Sequence, residues 1–210
     1  MGSLSSLTDG WAFLVADASV VINLNASGCA EKVLAALQRH VKVVDIVPGE
    51  LKQGQHRQRQ DAVLLEKLAA SGHVEIVSLD DDGERYFEQL VVGPAQMTLD
   101  DGEAATIAYA AAHGAVAVID EAKAKRICGQ LLPELRMACS VDIFIHHTVQ
   151  DALGDNGLAN AVFNALYYGR MRVFPQHLDW VVGLIGRERA GLCASLPKHV
   201  RAPKRRALGR

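Results

Sequence analysis

Short apolar runs rich in β-branched residues alternate along this chain with segments whose apolar residues recur at helical spacing. This alternation constrains the fold most, because strands that alternate with helices form a parallel sheet with both faces covered. Five runs fit strands, namely Ala12–Ala16, Val41–Val47, Val74–Leu79, Ala115–Ile119 and Arg136–Val141. The pattern therefore predicts an α/β protein with a central parallel five-stranded sheet.

The length of 210 residues, half of them apolar, fits one domain with a sizeable core. We expect a single domain over residues 11–190, with a core at 11–141 and a helical extension at 142–190. Residues 191–210 are expected to form a basic tail. From Arg187 onward the chain has eight basic residues against Glu188 alone. Two interpretations of this stretch remain open, phosphate contacts to a nucleic acid and a solvated terminus.

The sequence lacks the signals of export and of membrane insertion. No apolar run approaches the ~20 residues of a spanning helix, and the first ten residues have no basic start. We expect a cytoplasmic protein that does not contact a membrane. The four cysteines form no CxxC pair and no zinc-like spacing, which favours buried thiols.

Two aspartates stand where predicted strands end. Asp17 follows the run that ends at Ala16, and Asp120 follows the run that ends at Ile119. A carboxylate at the end of a buried strand is costly unless a metal, a hydrogen bond or a substrate compensates it. Ligands bind at the carboxyl ends of the strands in such sheets, so one site can include both aspartates.

Two glutamates stand near predicted helix starts. Pro48 is a plausible first helical residue, which places Glu50 in the first turn. Thr98 and Asp101 read as a capping box, which places Glu103 in the opening turn of the next helix. Acids in first turns are common as helix-dipole partners, which explains either glutamate alone. Together with two strand-end aspartates, however, they indicate a divalent-metal site.

Four segments of the chain resemble, in order, the successive motifs of PIN domains. They are Val15–Leu24, Pro48–Leu51, Leu99–Ala108 and Val118–Arg126, within a match from Leu14 to Val141. The resemblance implies a three-layer α/β/α sandwich and a metal-dependent nuclease that uses Mg²⁺ or Mn²⁺ and acts most often on RNA. It implies a set of catalytic and metal-ligating residues: Asp17, Glu50, Glu103 and Asp120.

The same resemblance assigns supporting roles to three residues, Ser19, Glu121 and Ser140. Asp120 and Glu121 are adjacent acids, and the sequence leaves open which of them is the ligand. The pair Cys139-Ser140 stands where the family often has Gly-Thr, so only the hydroxyl is retained.

The resemblance also suggests partners. Many bacterial members of similar pattern are VapC-type toxins whose antitoxin inserts basic side chains into the acidic site, and PIN proteins commonly form homodimers. The segment after the second acid carries Lys52, Arg57 and Arg59, which we interpret as phosphate contacts to RNA. A solvated polar helix or loop is an equally good interpretation of that segment.

Two other functions compete with a nuclease. One is a non-catalytic PIN-fold module that binds RNA or protein. The other is an aspartate-based phosphotransfer domain, which has the same fold class. That second function requires adjacent acids at the first strand end and a lysine after the last strand, but Asp17 has no acidic neighbour and Ser140-Val141-Asp142 supplies no lysine.

Overall fold

Five short parallel strands form the central sheet, and each overlaps one of the predicted strands. They are β1 (Phe13–Ala16), β2 (His40–Val44), β3 (Val74–Val77), β4 (Val116–Val118) and β5 (Arg136–Ala138). Their order across the sheet is β3-β2-β1-β4-β5. The computed structural model describes residue 7 and residues 11–37, 40–53 and 56–201, without the side chains of residues 56–59.

Helices follow every strand. The first six are α1 (Ala18–Ala26), α2 (Ala30–Leu37), α3 (Ile46–Gln53), α4 (His56–Ala70), α5 (Asp81–Val91) and α6 (Asp101–Ala112). The remaining helices are α7 (Ala122–Leu131), α8 (Ser140–Ile145), α9 (His147–Tyr167), α10 (Leu178–Ile185), α11 (Arg187–Leu192) and α12 (Lys198–Arg201), with a 3-10 turn at Pro175–His177.

The sheet separates two hydrophobic cores because successive strand residues face opposite sides. Leu14 and Ala16 face a core that also contains buried residues of α1, α2 and α9. Val15 and Ala117 face the other core, which α6 and α7 complete. Helices on both faces of a five-stranded parallel sheet confirm the expected α/β/α sandwich.

Several predicted element ends are wrong. The predicted second and fifth strands extended to Val47 and Val141, yet both residues lie in the following helices, α3 and α8. Their side chains are fully buried, so an apolar run continued across the strand-to-helix junction. Helix α3 begins before Pro48, which places Glu50 beyond its first turn. Helix α6 takes Asp100 as its N-cap, so the predicted capping box is absent.

The helices after the last strand, including α9, pack on the face of the sheet that α1 and α2 also cover. Helix α9 kinks at Gly154, where φ is 64°. Cys193 and Leu196, which the prediction assigned to the basic tail, are buried in the core. Residues 202–210 lie outside the described residues. Within the described part of the chain, no single helix is both long and apolar enough to span a membrane, and α1 with α2 would meet that test only as a pair bent by 114°.

Candidate metal centre at the carboxyl edge of the sheet

Asp17 links β1 to α1 as the N-cap of that helix. Its Oδ2 accepts hydrogen bonds from Ser19 N at 3.2 Å and from Ser19 Oγ at 2.8 Å. Only 5% of Asp17 is exposed. Burial raises its pKa above the ordinary value, the bonds from Ser19 oppose that rise, and the charge of Asp100 adds to it. Asp17 is thus held in place, and a cation would stabilise its charged form.

Asp120 is still more enclosed and accepts three hydrogen bonds. Ser140 N donates to Oδ1 at 2.7 Å, while Ser140 Oγ and Asn23 Nδ2 each donate to Oδ2 at 2.6 Å. Burial, the largest cause, raises the pKa of Asp120 to about 6, the three donors oppose the rise, and the charge of Asp17 adds to it. Ser140, for which a supporting role is predicted, therefore contacts Asp120 directly.

Glu50 and Glu103 reach the same edge from α3 and α6. Gly102 N donates to Glu50 Oε1 at 2.9 Å. A Cβ on Gly102 would lie 2.7 Å from both Cδ and Oε1 of Glu50, so only glycine leaves room for this carboxylate. Burial raises the pKa of Glu50, and the charge of Asp17 contributes. Burial, followed by Asp17, raises the pKa of Glu103 to about 7.

The structure brings all four predicted acids into one electrostatic environment. The charge of Asp17 raises the pKa of each of the other three. The four carboxylates nevertheless do not form a closed ligand shell: among the described side chains, the group of three possible ligands within 4.8 Å of one another is Cys139, Asp142 and His177. An open arrangement suits Mg²⁺, which keeps several waters and uses few carboxylates.

A cavity of about 160 Å³ opens between two of these acids, Glu103 and Asp120, and the turn that follows α9. Its lining includes Glu103, Asp120, Glu121, Asn23, Arg170 and Arg172. Glu121 lies at its rim, where its carboxylate pairs with Arg172 Nη1 at 2.7 Å. Asp120 is therefore the enclosed acid of the adjacent pair, and Glu121 is the paired one. A larger cavity of about 410 Å³ lies at the opposite edge of the sheet, near Gly114, away from the acids.

Of the three predicted RNA contacts, only Lys52 has a described side chain. Lys52, near the end of α3, is exposed and pairs with Glu66 of α4 at 2.8 Å. Arg57 and Arg59 belong to α4, but their side chains lie outside the described residues. The role of these three residues stays a prediction.

Two features of this site, Asn23 and Gly102, were not predicted from the sequence. Asn23 lies on α1 and donates to Asp120 across 97 residues. Asp100, which the sequence places close to Glu103 as a second choice among the acids, raises the pKa of Asp17, Glu50 and Glu103. Gly102 makes room for Glu50. A local signal existed only for Gly102, because glycine is a poor helix former and here lies in the first turn of α6.

Cys139, Asp142 and His177 form a buried group next to Ser140. Cys139 N and Sγ donate to Asp142 Oδ2 at 2.9 and 3.0 Å, which fixes the start of α8. His177 Nε2 lies 3.6 Å from Asp142 Oδ1, and burial lowers the pKa of this histidine. The contacts of this group join the last core strand to the C-terminal helices. None of the four cysteines, all of which lie within the described residues, forms a disulfide, and three are buried, in line with the expectation of buried thiols.

A parallel sheet with acids gathered at its carboxyl edge defines an α/β/α protein with an acidic site. The sequence profile of DUF3368, a PIN domain, matches residues 13–182. The chain therefore belongs to the PIN domain family.

The crystal structure of VapBC2 from Rickettsia felis bound to a DNA fragment from their promoter is similar to this chain with a TM-score of 0.43 and 17% identity, over 60% of this chain and 98% of the compared chain. No curated protein matches the sequence.

Proposed function

We propose that this protein is a metal-dependent endoribonuclease that hydrolyses phosphodiester bonds at the carboxyl edge of its sheet. The observation that carries the proposal is that four carboxylates from four segments of the chain meet at this edge, close enough for the charge of Asp17 to raise the pKa of the other three. Such mutual repulsion is unfavourable in the free protein, and a divalent cation relieves it.

The donor set fits Mg²⁺ or Mn²⁺. Asp17, Glu50, Glu103 and Asp120 offer only oxygen atoms, which these hard cations prefer. When bound, such an ion supplies Lewis-acid chemistry that withdraws charge from the phosphate under attack. The acids that hold it must be ionised, so Glu103, with a pKa of about 7, would release its proton when the cation binds.

The neighbours of the acids keep the site in order. Ser19 orients Asp17, and Asn23 and Ser140 orient Asp120, each through hydrogen bonds of 2.6 to 3.2 Å. Because these donors are themselves buried or partly buried, the two aspartates keep their positions without the ion. Preorganised charges of this kind stabilise a transition state at little reorganisation cost.

RNA as the substrate rests on family membership and on the predicted phosphate contacts of Lys52, Arg57 and Arg59. An antitoxin partner and a homodimer remain proposals on the same footing. The acidic cavity is complementary in charge to the basic side chains that an antitoxin would insert. A tight complex with a small basic protein would support the toxin assignment.

The test compares the wild type with Asp17→Asn on defined RNAs in Mg²⁺, in Mn²⁺ and in chelator. We expect cleavage to require metal and to fall on the order of 100-fold or more in the variant, as when one preorganised electrostatic group is removed. Glu134→Gln, an exposed acid at the opposite edge, is the matched control. Cleavage that survives chelator, or an Asp17→Asn protein that cuts at the wild-type rate, would disprove the proposal.

A non-catalytic module that binds RNA or protein is the second candidate. The observation in its favour is the spread of the acids, since no three of the four are within 4.8 Å of one another among the described side chains. Titration calorimetry separates the two functions: a nuclease must bind Mg²⁺ or Mn²⁺ at this site, and a binding module has no such requirement.

A further inference from the structure

The two exposed aromatic residues of this protein are neighbours. All Phe, Tyr and Trp residues lie in the described part of the chain, and among them only Tyr167 and Tyr168 are exposed, by 47% and 49%. Their rings meet edge to face with centroids 5.0 Å apart, and Tyr167 stacks on Phe163 at 5.5 Å. Exposed tyrosine faces are typical surfaces for stacking with bases.

Two arginines follow at once, and both line the acidic cavity. Arg170 and Arg172 belong to the turn after α9 and share that cavity with Glu103 and Asp120. Arg172 pairs with Glu121 at 2.7 Å, but both side chains are partly exposed, and such surface pairs exchange readily for another anion. Guanidinium groups match phosphate oxygens in charge and shape.

The backbone of this turn is firmly held. Met171 N donates to the carbonyl oxygen of Ala165 at 3.0 Å, and the Met171 side chain is buried. A Cβ on Gly169 would lie 2.6 Å from that same carbonyl oxygen and 2.7 Å from Asn23 Oδ1. Arg170, between these anchors, has a φ of 58°, which few residues other than glycine adopt. The backbone of the turn therefore fixes the position from which both arginines extend toward the cavity.

We propose that Tyr167, Tyr168, Arg170 and Arg172, here called the Tyr-Arg turn, bind the substrate strand beside the acids and select unpaired RNA. The inference rests on the proposed nuclease function. An acidic cavity repels the phosphates that it must receive, and the two arginines offset that repulsion at its rim. Tyr168 stacks on a base only when the face of that base is free, which base-paired RNA does not offer.

The first test measures binding apart from cleavage. Fluorescence anisotropy with a labelled single strand of about ten nucleotides, in chelator, compares Arg170→Gln/Arg172→Gln with Arg85→Gln/Arg136→Gln. The control removes two exposed arginines that have partners of their own, Arg85 with Asp82 and Arg136 with the carbonyl oxygen of Gly114. We expect the turn variant to reduce the slope of log K against log salt by about 1.4, or 0.7 for each phosphate contact, and the control to leave it unchanged.

The second test addresses the ring of Tyr168. Tyr168→Ala should bind the single strand about tenfold more weakly, whereas Tyr168→Phe, which keeps the ring, should bind within about twofold of the wild type. Wild type should bind the single strand more tightly than the duplex that this strand forms with its complementary RNA. Thermal melting by circular dichroism verifies that each variant is folded.

The inference is overturned if the turn variant has the affinity and salt slope of the control, or if Tyr168→Ala binds like wild type. Equal affinity for the single strand and for the duplex also overturns it. Cleavage is assayed separately with the wild type in Mg²⁺ or Mn²⁺. If wild type cuts no RNA, the proposed nuclease function fails. If it cuts but the turn variants bind normally, only the Tyr-Arg turn fails.

Discussion

Asp120→Asn should make the stability of the metal-free protein less sensitive to pH. The pKa of Asp120 is raised from 3.8 to about 6 in the folded protein, chiefly by burial. The folded state then binds more protons than the unfolded state between these values, so stability is lost as pH rises through that window. A difference of about 2 pKa units corresponds to roughly 3 kcal/mol over the whole window.

Roughly half of this change in the free energy of unfolding falls within a pH range that is practical for measurement. Between about pH 5 and about pH 8 the linkage relation gives a loss of roughly 1–2 kcal/mol from Asp120 alone. Glu103, with its pKa raised to about 7, changes stability in the same direction. The lowered pKa of His177 acts in the opposite direction below its ordinary value, but it is common to both proteins and cancels in their comparison.

Urea unfolding in chelator measures the effect. With m of about 2 kcal/mol per M, the wild-type midpoint should fall from pH 5 to pH 8 by about 0.5–1 M more than that of Asp120→Asn. Hydrogen bonds lost with the carboxylate lower stability at both pH values, so the readout is the difference between them. Glu134→Gln removes an exposed acid and should keep the wild-type difference.

The reasoning is refuted if Asp120→Asn shows the full wild-type dependence on pH. Added Mg²⁺ provides a second readout, because a cation at the acids favours their ionised forms. It should raise the midpoint of the wild type more at pH 8 than at pH 5.

Three further substitutions test the packing of the site. Gly102→Ala should have a urea midpoint at or slightly above that of the wild type, because alanine favours the helix. It should bind Mg²⁺ more weakly in calorimetry, because the new Cβ displaces Glu50. Mg²⁺ affinity equal to that of the wild type would contradict this. Gly169→Ala should lower the free energy of unfolding by about 1–3 kcal/mol in urea, because backbone and Asn23 oxygens occupy the required space. Asn23→Ala should cost about 1–3 kcal/mol and reduce RNA cleavage, since Asp120 loses a buried donor; unchanged cleavage would show that this donor is dispensable.

The sheet and the positions of two of the acids could be predicted from the sequence for the same reason. Strands β1 and β4 are apolar runs, and parallel strands end at the same edge. An acid directly after each run, Asp17 or Asp120, therefore had to arrive at that edge. The ends of elements were less accessible, because Val47 and Val141 are apolar whether they extend a strand or bury a helix face.

Glu50 shows where local reasoning fails. Its placement was predicted from the dipole of a first helical turn, but α3 begins earlier, and Glu50 lies in a later turn. What positions its carboxylate is the amide of Gly102, 52 residues further along the chain, and the space left by the missing side chain there. No periodicity or capping rule includes a contact of that separation.

The sequence by itself determined the order of strands and helices along the chain and the acids that follow β1 and β4, because these depend on local periodicity and chain direction. Tertiary structure decided which side chains meet those acids. Asn23 reaches Asp120, and Arg170 and Arg172 come to the cavity through the packing of α9 against α1. Tertiary structure also decided how deeply each of the four carboxylates is buried. The raised pKa values follow from that burial, because desolvation depends on every element that surrounds a carboxylate.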